Sequence, residues 1–205
     1  MAAAFIGGPM FLIGTILHPA RDGHGIAAVG ELYGITHSVQ AIGLLLLVVA
    51  LAGMLATVRH ESSWSPIGWY GALVGTLSWF GLIVYDGSHN PVMARYAPDL
   101  VHTAADLEAG GAIIVLPALL LFPLGYALLG VALYRSDLRW AGLLAGGGAL
   151  VYTIGGLLIF ELGPSSPLVQ TLEVAGAIPF AIGFVLLAVG IRTDQSVKQP
   201  IPAGL

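Results

Sequence analysis

Cysteine is absent from the sequence, so no disulfide staples the fold and no thiolate holds a metal. Charge is scarce as well: Asp, Glu, Lys and Arg make up 9% of the chain, against about 25% in soluble domains. A surface without charge must face something other than water. The seven Lys and Arg are widely scattered and form no basic stripe, which argues against nucleic acid as a partner. What fills the chain instead is apolar residues, 57% of the total, and 29 glycines. Lipid is the partner this composition implies.

A bilayer core needs about 20 apolar residues per helix. Six segments approach or exceed that length: Ala2 to Leu17, Leu32 to Val58, Ile67 to Tyr85, Leu100 to Tyr134, Leu138 to Phe160 and Leu168 to Ile191. Polar stretches separate them, among them "HPARDGHG" after the first and "DGSHNP" after the third. The expected fold is all-α: a polytopic membrane protein with six transmembrane helices over residues 1–192, followed by a polar cytoplasmic tail over 193–205. The first segment has no basic leader region and no small-x-small cleavage site, so it reads as a helix rather than a signal peptide.

Six spans make the connections alternate sides. Arg59, Arg135, Arg139, Arg192 and Lys198 then share one side, with only Arg21 and Arg95 on the other. The positive-inside rule places the richer side in the cytoplasm, and both termini with it. The outer end collects His18, His24, His37, His89 and His102. It also collects Asp22, Glu31, Asp86, Asp99, Asp106, Glu108, Glu161 and Glu173. The ionisable groups of a charge-poor chain are thus concentrated in one cap.

The helices read as three related hairpins. "WYGALVG" at 69–75 matches "WAGLLAG" at 140–146. The first, third and fifth segments close on "GTILH", "LIVYD" and "LLIFE", each an apolar run ended by a polar group. The second, fourth and sixth open on "GITHSVQAIG", "DLVHTAADLE" and "PLVQTLEVAG". His37, His102 and Gln170 then take one equivalent position, and Gln40, Ala105 and Glu173 another. Residues three or four apart share a helix face. The repeat therefore predicts an inward-facing set of His37, Gln40, His102, Asp106, Gln170 and Glu173. Gly30-x-x-x-Gly34, Gly71-x-x-x-Gly75 and Gly142-x-x-x-Gly146 have the spacing that lets helices approach closely.

Two cofactor chemistries fit this pattern. Haem b is held by paired imidazoles on facing helices; His37 and His102 would supply them, with Gly34, Gly43, Gly110 and Gly111 leaving space for the macrocycle. Haem, or a transition metal in its place, implies electron transfer or a subunit of a redox complex. A divalent ion, Cu or Zn, suits imidazole and carboxylate together. Its candidate ligands are His37, His102, Asp106, Glu173 and His18, with Gln40 and Gln170 around them and His89 at the same level. An open position on such an ion would make the protein a metal-dependent membrane hydrolase. A transporter wants ionisable groups near the midplane, where the sequence has almost none. Ser38, Ser88, Ser165 and Ser166 carry no nucleophile-elbow motif.

A plainer reading assigns the same groups to helix ends, where water is near. Asp99 would favour a helix N-terminus, His18 would cap the first helix, and Asp86, Glu161 and Arg95 would form interfacial pairs. The protein would then be an accessory or structural membrane subunit. Glu108 lies off the His102 face on either view. Trp64, Trp69 and Trp140 read as interfacial anchors, and Trp79 as packed between helices.

Leu17, His18 and Pro19 at the end of the first segment, His37 and Gln40 early in the second, and the "RWAGLLAG" opening of the fifth resemble a group of prokaryotic six-helix integral membrane proteins with no assigned activity. The resemblance implies six helices and carries over no site residue.

Overall fold

The computed structural model describes residues 2–19, 21–57, 64–102, 112–134 and 136–197. All regular elements among them are helical: α1 (Ala2–Ile16), α2 (Gly23–Val29), α3 (Glu31–Thr57), α4 (Trp64–Tyr96), a 3₁₀ turn at Pro98–Leu100, α5 (Ala112–Leu133), α6 (Arg139–Leu162) and α7 (Pro167–Val197). Five of these, α3 to α7, are long and apolar enough to cross a bilayer, the signature of a multi-pass membrane protein. The fifteen residues of α1 are apolar but shorter.

Sequence neighbours pack against each other as antiparallel helices, and α7 returns to pack on α1. The long helices and α1 therefore close a ring. The C-terminal ends of α1, α4 and α6 and the N-terminal ends of α3, α5 and α7 therefore lie at one end. Outward-facing positions are apolar: Ile42, Val49, Leu120 and Val131 are each at least half exposed, as a surface solvated by lipid tails requires. Aromatic rings fill the middle of the ring. Phe11 of α1 meets Tyr152 of α6 and Phe180 of α7 at 5.0 and 5.5 Å. Phe122 of α5 meets Trp79 of α4 at 4.8 Å.

Helices in lipid gain no hydrophobic drive from touching each other, so close packing must hold them. Glycine supplies it in each hairpin. Gly7 lies against Gly43, Gly71 against Gly125, and Gly148 against Gly176. Gly142 and Gly146 also meet α5, at Gly130 and Tyr126. The Gly30/Gly34 pair does something else. Gly30 caps α2 with φ +57° and faces open space, so only Gly34 of that pair meets another helix, at the Gly87 carbonyl.

Several sequence expectations shift here. The third segment does not stop at "DGSHNP": α4 continues through Pro91 to Tyr96. Asp86 and Asn90 face a polar interior at that end and Ser88 bonds back to the Val84 carbonyl, so nothing forces the helix to break. The fourth segment does not start as a helix at Leu100. Residues 98–100 form the 3₁₀ turn, and His102 sits in a turn with φ +57°. The apolar span of α7 ends at Ile191, and the helix itself continues to Val197 into the polar stretch. Trp69 is fully buried while its repeat partner Trp140 is 61% exposed, so the two matched motifs do different jobs. Trp79 packs between helices as expected.

The short helix α2 is started by Asp22, whose carboxylate accepts from the Gly25 amide at 2.8 Å and from the Ser165 hydroxyl at 2.6 Å. Those two donors hold the Asp22 pKa below the usual carboxylate range. Its contribution is therefore present above that usual range and lost as pH falls through the lower folded value. Hydrogen exchange of the α2 amides should accelerate in that acid window, and Asp22→Asn should flatten the dependence.

A methyl group at Gly125 would collide with the Gly71 carbonyl, whereas Gly147 faces open space. Gly125→Ala should destabilise by about 1–3 kcal/mol or more. Gly147→Ala should be neutral or slightly stabilising, since alanine is the better helix former. Thermal melts in detergent measure both.

Candidate metal centre

The end of the bundle that carries the hairpin connections also carries the buried polar groups. Asp86 of α4 is the hub. One carboxylate oxygen accepts from the Tyr33 hydroxyl at 2.9 Å and from the Asn90 amide, and lies 3.2 Å from His102 Nε2. The other lies 2.9 Å from His37 Nε2. Gly87, next in sequence, is what lets His37 approach, since a Cβ there would overlap the His37 side chain. His18, from the turn after α1, places its Nε2 3.3 Å from His37 Nε2.

The three imidazoles share one feature. Each Nδ1 lies on a backbone carbonyl: His18 on Pro19 at 2.9 Å, His37 on Tyr33 at 2.8 Å, His102 on Arg21 at 2.9 Å. A carbonyl only accepts, so Nδ1 carries the proton in each ring. In the neutral rings every Nε2 is then a lone pair. The Asn90 amide donates to the His102 lone pair at 2.8 Å, so the lone pairs of His18 and His37 are the ones left to converge on the Asp86 carboxylate. Burial, with Arg21 and His37 nearby, pushes the His18 pKa well below its usual value. Burial also works against the charged form of His102, but the Asp86 carboxylate outweighs it and raises that pKa.

The donor atoms of His18, His37 and Asp86 all lie within 4.8 Å of one another, close enough to share one ion. Two ligands on a tetrahedral zinc at 2.0–2.1 Å stand about 3.3–3.4 Å apart. The His18–His37 separation of 3.3 Å fits that edge, and the 2.9 Å between His37 and Asp86 would have to open slightly to admit an ion. His102 is outside this triad; with Asn90 and Tyr33 it fixes the far oxygen of Asp86. Holding His102 there costs its backbone roughly 1–2 kcal/mol for the left-handed conformation, offset by bonds at both ring nitrogens.

Arg21 and Glu173 form a second buried unit. The guanidinium meets both carboxylate oxygens, one at 2.8 Å, with both side chains less than a tenth exposed. Burial opposes the Arg21 charge, and Glu173 outweighs it, so the pKa is raised. A cavity of about 720 Å³, counting its open mouth, lies beside both units. Its polar end is formed by His18, Arg21, His37, Asp86 and Glu173, and its apolar end by α4, α5 and α6.

Of the predicted set, His18, His37, His102, Gln40 and Glu173 line this cavity. Glu173 does so as the partner of Arg21. Gln170 is exposed and does not line this cavity; α7 turns Val169 and Glu173 inward, and position 170 falls outside that arc. Asp106 and Glu108 lie outside the described residues, as do Gly110 and Gly111. The helix-face argument linking His102 to Asp106 does not hold, because His102 is not in a helix. Gly34 lies near Gly87, and Gly43 is filled by α1. The plainer reading gave Asp86, Glu161 and Arg95 to interfacial pairs. Instead Asp86 faces inward while Arg95 and Glu161 are exposed. The signal was present: "GTILH" and "LIVYD" end on His18 and Asp86, and those equivalent positions meet. His89 stacks on Tyr85 at 4.7 Å, and His24 pairs with Asp99 at the surface at 3.1 Å.

Comparison with protein-family models, curated proteins and solved structures found no match. The fold and site stand on their own: a helical protein of membrane-crossing length with a buried His/Asp cluster able to hold a metal ion.

Breaking the Arg21–Glu173 pair strands a charge. Glu173→Leu should destabilise by about 3–5 kcal/mol, and Arg21→Met with Glu173→Leu together by much less. A double-mutant cycle of melts in detergent measures the coupling.

Proposed function

We propose that this is an integral membrane metalloprotein whose centre, formed by His18, His37 and Asp86, holds a divalent transition ion, zinc in the first instance, and supports hydrolysis. The observation that carries the reading is the convergence of Nδ1-tethered imidazoles on one carboxylate at coordination spacing. Imidazoles oriented through Nδ1 by a carbonyl are the usual arrangement of metal-bound histidine. Two imidazoles and a carboxylate are a catalytic rather than a closed structural zinc set, since a fourth position stays available. Oxygen and nitrogen donors without sulfur favour a divalent ion over Cu(I). The ion would supply Lewis acidity and an activated water. The cavity offers space for a substrate beside it.

Haem b fits less well. His18 stands 3.3 Å from His37 Nε2, where the macrocycle would lie, and His37 and His102 engage the same carboxylate. The Lys and Arg distribution supports an outer-face location for the centre, with α1 as a sixth crossing and both termini cytoplasmic.

Elemental analysis of the detergent-purified protein should find one zinc or similar ion per chain. His18→Ala, His37→Ala and Asp86→Ala should abolish stoichiometric retention, and His102→Ala should weaken affinity about 10–100-fold. A folded wild-type protein that takes up no divalent ion would refute the reading.

A further inference from the structure

Three of the described residues that line the cavity carry full charges: Arg21 is positive, and Asp86 and Glu173 are negative. The imidazoles add none. Each Nδ1 holds its proton against a carbonyl, and the Asn90 amide donates to His102 Nε2, which keeps that ring neutral. Empty, the site is therefore one charge negative. A divalent ion between His18, His37 and Asp86 makes it one charge positive. The remaining walls, such as Leu82, Val115 and Leu119, screen nothing. In surroundings of low dielectric that single excess charge acts strongly, and the occupant that balances it is a monoanion.

Arg21 adds a directional element. Its guanidinium presents five N–H donors in a rigid fork. Glu173 meets the two terminal nitrogens end-on, which leaves the side edge that carries the Nε–H. Among the described residues no bond reaches that nitrogen, and it is not one of the buried atoms shut off from partners. The Arg21 side chain keeps 9% of its surface accessible and belongs to the cavity wall. Its charge acts on both His18 and His102, so it stands beside the centre. An edge of this kind matches two oxygens of an oxyanion.

A hydrolase must bring the group it cleaves to the ion. A carboxylate is charged but offers nothing to hydrolyse, and a carboxylic ester or amide is cleavable but neutral. A phosphate monoester carries about 1.5–2 negative charges at neutral pH. A phosphodiester is both cleavable and monoanionic. We infer that the cavity takes a phosphodiester, with its two non-bridging oxygens shared between the ion and the free edge of Arg21. The inference rests on the hydrolytic reading of the metal centre. Water oxygen would bond to phosphorus as one P–O ester bond breaks. The departing oxygen takes a proton, and an alcohol and a phosphate monoester leave. Charge in such a transition state spreads over the equatorial oxygens, where a cationic clamp stabilises it.

Calorimetry on the zinc-loaded protein in detergent compares dimethyl phosphate, a monoanion, with trimethyl phosphate, its neutral analogue. Dimethyl phosphate should bind about tenfold or more tightly than the neutral ester, and chelator-stripped protein should lose the difference. Arg21→Met with Glu173→Leu leaves the net charge unchanged and removes the guanidinium. That double variant should retain zinc and bind dimethyl phosphate about tenfold or more weakly than the wild type. Glu173→Gln adds one positive charge and should tighten binding, a gain that a purely structural ion pair would not give. Competition against dimethyl phosphate separates two sources of the same chemistry: dioleoylphosphatidylglycerol in mixed micelles for lipid, and its deacylated headgroup for soluble esters. Displacement by either supports the inference, and displacement by neither overturns it. Equal binding of dimethyl and trimethyl phosphate by zinc-loaded protein also overturns it, and leaves the metal centre standing. A protein that takes up no ion removes the metal reading and this inference together.

Discussion

A carboxylate placed among membrane helices must be surrounded by partners, because the energy of an unpaired charge there is prohibitive. Asp86 meets that constraint with Tyr33, Asn90, His37 and His102, drawn from α3, α4 and the turn before α5. Much else at this end of the bundle follows from it. Gly87 is small so that His37 can reach it. His102 accepts a left-handed backbone so that its ring can face it. The α4 helix continues past Asp86 because Asn90, one turn on, is wanted at the same carboxylate.

The surrounding architecture serves to hold that cluster still. Glycine contacts bring helices within each hairpin close enough for packing to substitute for the hydrophobic drive that lipid removes. Aromatic rings from α1, α4, α5, α6 and α7 fill the space below the site. The Arg21–Glu173 pair ties the turn after α1 to α7 and so closes the ring of helices at the level of the centre. Arg21 contributes twice, since its carbonyl orients His102 while its guanidinium holds Glu173. Orientation of imidazoles by main-chain carbonyls makes the centre depend on loop geometry as much as on helix geometry.

The helices were legible because apolar length is a one-dimensional property. Five long spans and the short α1 stand close to where the hydrophobic runs place them. The concentration of histidine at one end was legible for the same reason, and His18, His37 and His102 do meet there. Helix ends were harder. "DGSHNP" reads as a loop from composition, yet its Asp and Asn face partners from other segments and the helix runs through. The role of Glu173 was misread because its partner Arg21 lies 152 residues away. Gln170 shared a repeat position with His37, but the rotation of α7 turned it outward.

By itself the sequence determined an all-helical chain, spans of membrane length, and a supply of imidazole and carboxylate at one end, since composition and run length suffice for each. Only the tertiary structure decided which of those groups share a site. It promoted Asp86 from the helix surface to the hub, separated Glu173 from the metal ligands by giving it Arg21, and left Gln170 outside. The physical reason is that convergence depends on helix rotation and on backbone carbonyls that fix each ring, and neither leaves a mark in the order of residues.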